Sequence, residues 1–235
     1  MSRNEAGQPE LISDSGVYNY HKCLKALLNR AKEFGRIADS PYNSLRGKFR
    51  RGDKDNVEYL TEEEMEAFVN INPPQGSLMA HAHDLFVFQM YTGMSYSDSQ
   101  AFDFSVYKKV NGKYVCVGER LKTGVEYVNQ LLPPALEVLE KYGWNTPKID
   151  NQKYNMCLKA LGMVAGITQK MHSHLARHTF ATWMLSNGVP LEHVSKMIGH
   201  TNVVQTQRYA KVIATAVYDE FDRVGEKLKN KKRRA

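Results

Sequence analysis

The feature that most constrains this chain is a change of hydrophobic period. Before residue 106 and after residue 132, apolar residues recur at helical spacing. Between those positions they alternate. Tyr114-Val-Cys-Val117 and a run from Tyr127 to Leu131 flank a Lys122-Thr-Gly124 turn. Alternation places every second side chain on one face of a strand, whereas a 3.6-residue period makes one face of a helix. The expected fold class is therefore α+β, mostly helical, around one small antiparallel sheet.

Punctuation residues divide the helical regions. Tyr20, Leu24, Leu27, Leu28, Ala31 and Phe34 predict a helix over 17–35, stopped by Gly35. Residues 40–56 lose this period and become polar and basic, as a linker does. Thr61-Glu-Glu-Glu64 is a capping box and opens a second region. Two domains follow: residues 1–56, the end of a helical domain with a basic linker, and residues 57–235. In the second, helices are expected over 77–91 (ending at Thr92-Gly93), 97–102, 134–142, 151–165, 173–187, 190–198, 202–209 and 211–229. Gly188 closes one of them and Pro190 opens the next.

Composition excludes several function classes. No run of about 18 apolar residues is present to span a bilayer, and the first residues lack the apolar core of a secretory signal. The three cysteines, Cys23, Cys116 and Cys157, form no CxxC pair and read as reduced thiols. The net charge of +7 owes much to the tail Lys227-Leu-Lys-Asn-Lys-Lys-Arg-Arg234, a run that suits a solvated end. Ten Lys/Arg residues between Lys22 and Lys54, with Glu33, Asp39, Asp53 and Asp55 as the acids in and beside them, suit phosphate contact and a solvated helix face equally. His81 and His83 form an HxH pair with no further ligand nearby, which suits two polar helix positions better than zinc.

The densest chemical signal lies between residues 174 and 209. His174 and Arg177 are three apart and share a helix face. Gly199 allows a tight turn that presents His200, and Tyr209 follows nine residues later. Each residue alone has an ordinary structural explanation: a surface pair, a helix cap, a core tyrosine. Together they suit phosphoryl transfer. A guanidinium offers a planar fork to two phosphate oxygens, imidazoles donate hydrogen bonds or move protons, and a phenol can attack.

The stretch HLARHTFATWMLSNGVPLEHVSKMIGHTNVVQTQRYAKV resembles the second signature box of the tyrosine recombinases, the phage-integrase family, at His174, Arg177, His200 and Tyr209. Tyr91-Thr-Gly-Met-Ser-Tyr-Ser-Asp98 resembles the first box, and Arg120-Leu-Lys-Thr-Gly124 resembles the hairpin that carries the family's lysine, here Lys122. Tyr59-Leu-Thr-Glu-Glu-Glu64 resembles the entry to the catalytic domain, and residues 17–52 resemble the last helix and linker of the core-binding domain. The first-box arginine falls at Ser95, a departure shared by integrases of Bacteroides-type mobile elements.

The resemblance implies a site-specific recombinase that cleaves and rejoins DNA through a 3′-phosphotyrosine. Tyr209 is the nucleophile, Lys122 the general acid, and Arg177, His174 and His200 bind the phosphate. Asp98 orients a neighbouring donor, a position that equally suits a helix N-cap. Arg120, placed two residues before Lys122 on the same strand, either replaces the charge missing at Ser95 or contacts a flanking phosphate. No cofactor or metal is implied. The implied partners are double-stranded DNA, other copies in a homo-tetramer on paired sites, and accessory DNA-bending proteins. The implied location is the cytoplasm, on the nucleoid when bound. The apolar face Ile213, Val217, Phe221 and Val224 suits exchange between protomers. Two rivals share these residues: a type IB topoisomerase-like nicking enzyme, and a DNA-binding relative without catalysis, suggested by Ser95.

Overall fold

The computed structural model describes residues 12, 14–45, 57–203 and 206–209. The chain divides into two compact units, residues 1–55 and 56–235. In the first, helix α1 (Asp14–Glu33) begins earlier than its apolar spacing suggests and is followed by Gly35 at φ +66°. A 3-10 turn at Pro41–Asn43 buries Tyr42, whose hydroxyl hydrogen-bonds His21 Nδ1 at 2.6 Å. Tyr20, Leu24 and Leu27 of α1, and Phe34 just after it, are exposed.

The second unit begins with the capping box. Thr61 Oγ1 accepts from the Glu64 amide at 3.2 Å, and Glu64 Oε2 accepts from the Thr61 amide at 2.9 Å, so two amides that a helix start leaves unpaired are satisfied. This opens α2 (Glu62–Val69). Helix α3 (Leu78–Thr92) is capped by Ser77 and ends at Gly93, whose φ of +69° is a left-handed stop. Its run from Leu85 to Met90 is buried throughout, as expected of a helix enclosed on every side. It packs against α5 (Pro133–Lys141), α6 (Asn151–Val164) and α7 (Ser173–Ser186). Phe68, Leu85, Phe86, Phe88, Leu139, Leu158 and Leu175 fill the core between them. Each fully buried side chain of that size contributes about 1.5–3 kcal/mol.

The sheet has three antiparallel strands in the order β1 (Lys108–Val110), β2 (Lys113–Glu119), β3 (Glu126–Gln130). Cys116 faces Asn129 and Glu119 faces Glu126 in the β2–β3 register. Strand β1 was not expected, because its three residues are all exposed and leave no alternation to read. Asn129 ties the sheet to the end of α3. Its Nδ2 donates to the Thr92 carbonyl at 2.8 Å and its Oδ1 accepts from the Tyr107 hydroxyl at 2.9 Å.

The turn expected at Lys122-Thr-Gly124 is present, but the structure corrects the placement of Arg120 and Lys122 on one strand: both lie beyond the end of β2. The Arg120 carbonyl accepts from the Thr123 and Gly124 amides, at 3.2 and 2.8 Å, and Gly124 takes a φ of +63°. The Arg120 amide still donates across the hairpin to the Val125 carbonyl at 2.9 Å, but the closure takes residues 121–124 out of the ladder, so strand alternation does not relate the Arg120 and Lys122 side chains. Helices α4 (Tyr96–Gln100) and α8 (Leu191–Ile198) complete the unit. The helix expected over 202–209 is, among the described residues, a 3-10 turn at Gln207–Tyr209. The helix expected over 211–229, with Ile213, Val217, Phe221 and Val224, lies outside the described residues. No helix among the described residues is long and apolar enough to cross a membrane.

Candidate active site

Helix α7 supplies the frame of the site. Its HxxRH spacing puts His174, Arg177 and His178 within a little more than one turn of each other. The His174 and His178 rings stack with centroids 5.6 Å apart. Arg177 is 3% exposed, a burial that a guanidinium tolerates only with its hydrogens engaged. One Nη donates to the Gly93 carbonyl at 2.8 Å and the other donates to the Ile198 carbonyl. Both acceptors belong to helix C-terminal ends, of α3 and α8, where the backbone is electronegative. Burial and then the neighbouring Arg120 charge pull the Arg177 pKa below its ordinary value, while Tyr209 and Asp98 act the other way. The guanidinium stays protonated at neutral pH.

Arg120 reaches the same place from the turn after β2. Its Nε donates to Asp98 Oδ2 at 2.7 Å and an Nη donates to the Ile198 carbonyl at 3.1 Å. Asp98 makes three contacts, two of them to that turn. Besides Arg120 it accepts from the Leu121 amide at 3.1 Å and from Ser95 Oγ at 2.6 Å. Ser95 is the N-cap of α4 and Asp98 lies in that helix's first turn. Gly199 makes room for the Arg120 side chain. A Cβ built there meets Arg120 Cγ at 2.8 Å and Cδ at 2.9 Å, and its φ of +58° already calls for glycine.

Gly199 also turns the chain out of α8 so that His200 follows, with Nδ1 2.8 Å from Thr206 Oγ1. Tyr209 is 2% exposed and packs with Phe180, Leu185, Val194 and Ile198. Its hydroxyl lies 2.7 Å from His178 Nδ1, and its ring is stacked with that of His200 at 6.5 Å. His174 is at the exposed rim. Partial burial, followed by the charges of Arg177, His172, Arg120 and Lys122, holds its pKa below the ordinary histidine range. Lys122 is exposed on its turn, and its charge acts on His174.

The structure therefore gathers Arg177, Arg120, Asp98 and Ser95 into one network, with Tyr209, His200 and His174 beside it. His178 was missed as a site residue because it stood inside the motif as a letter of the string. Its signal was available: it lies four residues after His174, one helical turn along the same face.

Other regions carry less chemistry. His83 Nε2 is 3.0 Å from the Phe68 carbonyl and Nδ1 is 3.0 Å from Asp84 Oδ1, while His81 lies edge-on to Tyr142. Among the described residues no group of three or more His, Cys, Asp or Glu could hold a metal ion. A groove of about 500 Å³ between the sheet and helices α7 and α8 is lined mainly by apolar residues such as Val115, Val128, Phe180 and Met184, and by none of Arg120, Asp98, His174, Arg177, His178, His200 or Tyr209.

Comparison with known proteins identifies the family and the fold. The family described as "Phage integrase family" matches residues 58–215. A tyrosine recombinase XerD of Rhizobium meliloti (strain 1021) is 26% identical over 223 residues, 87% of this chain and 70% of that protein. A tyrosine recombinase XerC of Listeria monocytogenes serotype 4a (strain HCC23) is 41% identical over 56 residues, 24% of this chain and only 19% of that protein's length. Among solved structures, the XerH site-specific recombinase bound to palindromic difH substrate, a post-cleavage complex, matches with a TM-score of 0.71 at 17% identity, covering 89% of this chain and 67% of that one. The Tn1549 transposon integrase in complex with circular intermediate DNA matches with a TM-score of 0.62 at 16% identity, covering 87% and 76%. At such identities the structural likeness establishes the fold, which is that of these recombinases.

Proposed function

This chain belongs to the phage integrase family, and on that premise we propose that it is a tyrosine-type site-specific DNA recombinase that integrates or excises a mobile element. The observation that carries the reading is the meeting of two guanidinium groups, Arg177 and Arg120, at one carbonyl beside the Tyr209 phenol. Two fixed positive forks next to a nucleophile suit a phosphodiester that gains charge as it is attacked.

In this reading Tyr209 Oη attacks the scissile phosphorus and forms a 3′-phosphotyrosine. The 5′ oxygen departs with a proton from Lys122. The 5′-hydroxyl of a partner strand then reverses the step, and the phosphotyrosine conserves the bond energy. Arg177 and Arg120 hold the nonbridging oxygens, with His174 and His200 as further donors. Asp98 aims Arg120, and Ser95 completes the Asp98 contact where a family member usually has arginine. The charge needed at the phosphate comes from these side chains, so no cofactor is assigned. Strand exchange needs two cleaved duplexes, so the active form is a homo-tetramer on paired sites, with DNA-bending proteins as accessory partners. Residues 1–56 are the end of a core-binding domain with its basic linker, and residues 57–235 the catalytic domain. The place of action is the nucleoid.

The test is incubation with a library of nicked duplexes in which cleavage releases a short fragment and traps the adduct. A denaturant-resistant protein–DNA species linked at Tyr209 supports the reading. Joining of two duplexes into a four-armed junction separates it from a nicking enzyme that only relaxes DNA. Absence of any adduct across the library overturns it.

A further inference from the structure

We propose that His178 is a catalytic residue that holds the Tyr209 phenol and takes its proton as the phosphotyrosine forms. The inference rests on the recombinase reading above and adds to it the fate of the nucleophile's proton. A phenol is a weak nucleophile at neutral pH and needs a base within hydrogen-bond reach. His178 Nδ1 is at that distance, 2.7 Å from Tyr209 Oη.

The proposal requires one tautomer. For the phenol to donate, Nδ1 must be the bare nitrogen and Nε2 must carry the hydrogen. As the Tyr209 Oη–P bond forms and the P–O5′ bond breaks, the phenolic proton passes to Nδ1 and His178 becomes an imidazolium. The 5′ oxygen takes a separate proton from Lys122. When a 5′-hydroxyl attacks the phosphotyrosine, both transfers run backward and the imidazole is neutral again.

The surroundings suit a ring that becomes charged for one step. His178 is half-buried on α7. Among the described residues, the charged or titratable groups near it include His174, stacked on it from one turn earlier, Arg177 next to it in sequence, Tyr209 in the 3-10 turn, and His200 stacked with the Tyr209 ring. The lowered pKa of His174 favours its neutral form, which reduces repulsion with a new imidazolium stacked beside it. A merely structural hydrogen bond would also hold Tyr209 in place, and the choice of variant separates the two roles. Asparagine places an acceptor oxygen near the position of Nδ1 and cannot carry the proton.

The experiment measures single-turnover adduct formation by the full chain on a nicked duplex recovered from the selection described above. His178→Asn is expected to bind that duplex with affinity within about twofold of the wild type and to form the adduct about 100-fold more slowly at saturating DNA. On the same duplex with sulfur in place of the bridging 5′ oxygen, the leaving group needs no proton. There Lys122→Ala should recover its rate while His178→Asn stays slow. A His178→Asn rate within about threefold of the wild type on the ordinary duplex overturns the proposal, as does its recovery on the sulfur duplex. Should the variant fold poorly, ¹⁵N shifts of the wild-type imidazoles decide. His178 in the Nε2–H form, with an Nδ1 shift that moves in Tyr209→Phe, supports the role, and an Nδ1–H form overturns it. An adduct that persists in Tyr209→Phe brings down the recombinase reading and this role with it. Loss of the adduct in Tyr209→Phe with a fast His178→Asn brings down the role of His178 alone.

Discussion

Arg120 and Arg177 donate to the same acceptor, the carbonyl oxygen of Ile198. Two guanidinium groups repel one another, and here the repulsion is offset by Asp98 on Arg120 and by the electronegative end of α8. A second fork thus stands where Ser95 leaves the first box without one. Removing Arg120 should therefore affect the chemical step. Arg120→Ala is expected to lower the cleavage rate at saturating DNA by about 100-fold while changing affinity far less. Ser95→Arg should recover part of that rate in the Arg120→Ala background. A variant that loses only affinity, with a smaller dependence of binding on salt, would assign Arg120 to a flanking phosphate.

The second prediction concerns the nucleophile. Tyr209→Phe keeps the ring that packs on Phe180 and Ile198 and removes the oxygen on His178. Covalent attachment should vanish while DNA affinity stays within about threefold, because affinity comes mainly from phosphate contacts. Denaturing gels and binding curves on the same nicked duplex measure both quantities. A denaturant-resistant adduct in the Phe variant would contradict the assignment.

Gly93 provides a test of how the site is supported. It takes a φ of +69°, and a Cβ there meets Phe180 Cδ1 at 2.5 Å. Gly93→Ala should cost about 2–4 kcal/mol, combining left-handed strain with overpacking. Gly112 has a φ of +79° with nothing within 4 Å of a built Cβ, so Gly112→Ala should cost only the conformational part, about 1–2 kcal/mol. Equal losses on denaturant unfolding would show that the Phe180 contact gives way freely.

The fourth prediction is a pH dependence of stability. Burial raises the Asp84 pKa, but hydrogen bonds from His83, Lys141 and Tyr142 outweigh it and bring it to about 2, below the ordinary 3.8. A depressed carboxylate stabilises the fold above its unfolded pKa, and that stability disappears as pH falls through the folded value. Between pH near 4 and pH near 2 the wild type should lose up to about 2 kcal/mol more than Asp84→Asn, with partly exposed Lys141 reducing the figure. Parallel acid titrations of the two proteins would show no such contribution.

Much of the fold was legible because its signals are local. The Thr61–Glu64 box, the Gly93 stop and the α7 and α8 boundaries follow from residues within a turn of one another. Strand β1 was hidden because three exposed residues carry no alternation. The path of Arg120 was misread for a different reason. Alternation was carried from Arg120 to Lys122 across the start of a turn, and the direction of Arg120 is set by Asp98, more than twenty positions away. The contacts of Arg120 with Asp98 and with the Ile198 carbonyl are long-range in the chain, so neither period nor motif spacing reports them. His178 was in plain view, but only the position of Tyr209 in space gives its ring a partner.

Arg177 cross-links the ends of α3 and α8 through Gly93 and Ile198, and in the proposed function it also serves the phosphate. Its two duties share one set of hydrogens. An inactive Arg177 variant would therefore be silent about chemistry until its melting curve had been measured, since slackening of the two helix ends displaces Gly199, His200 and the turn beyond. Lysine in its place brings a charge without the fork and can satisfy only part of this arrangement. For this residue, loss of activity and loss of architecture are a single experimental observable, and kinetics alone misattributes it.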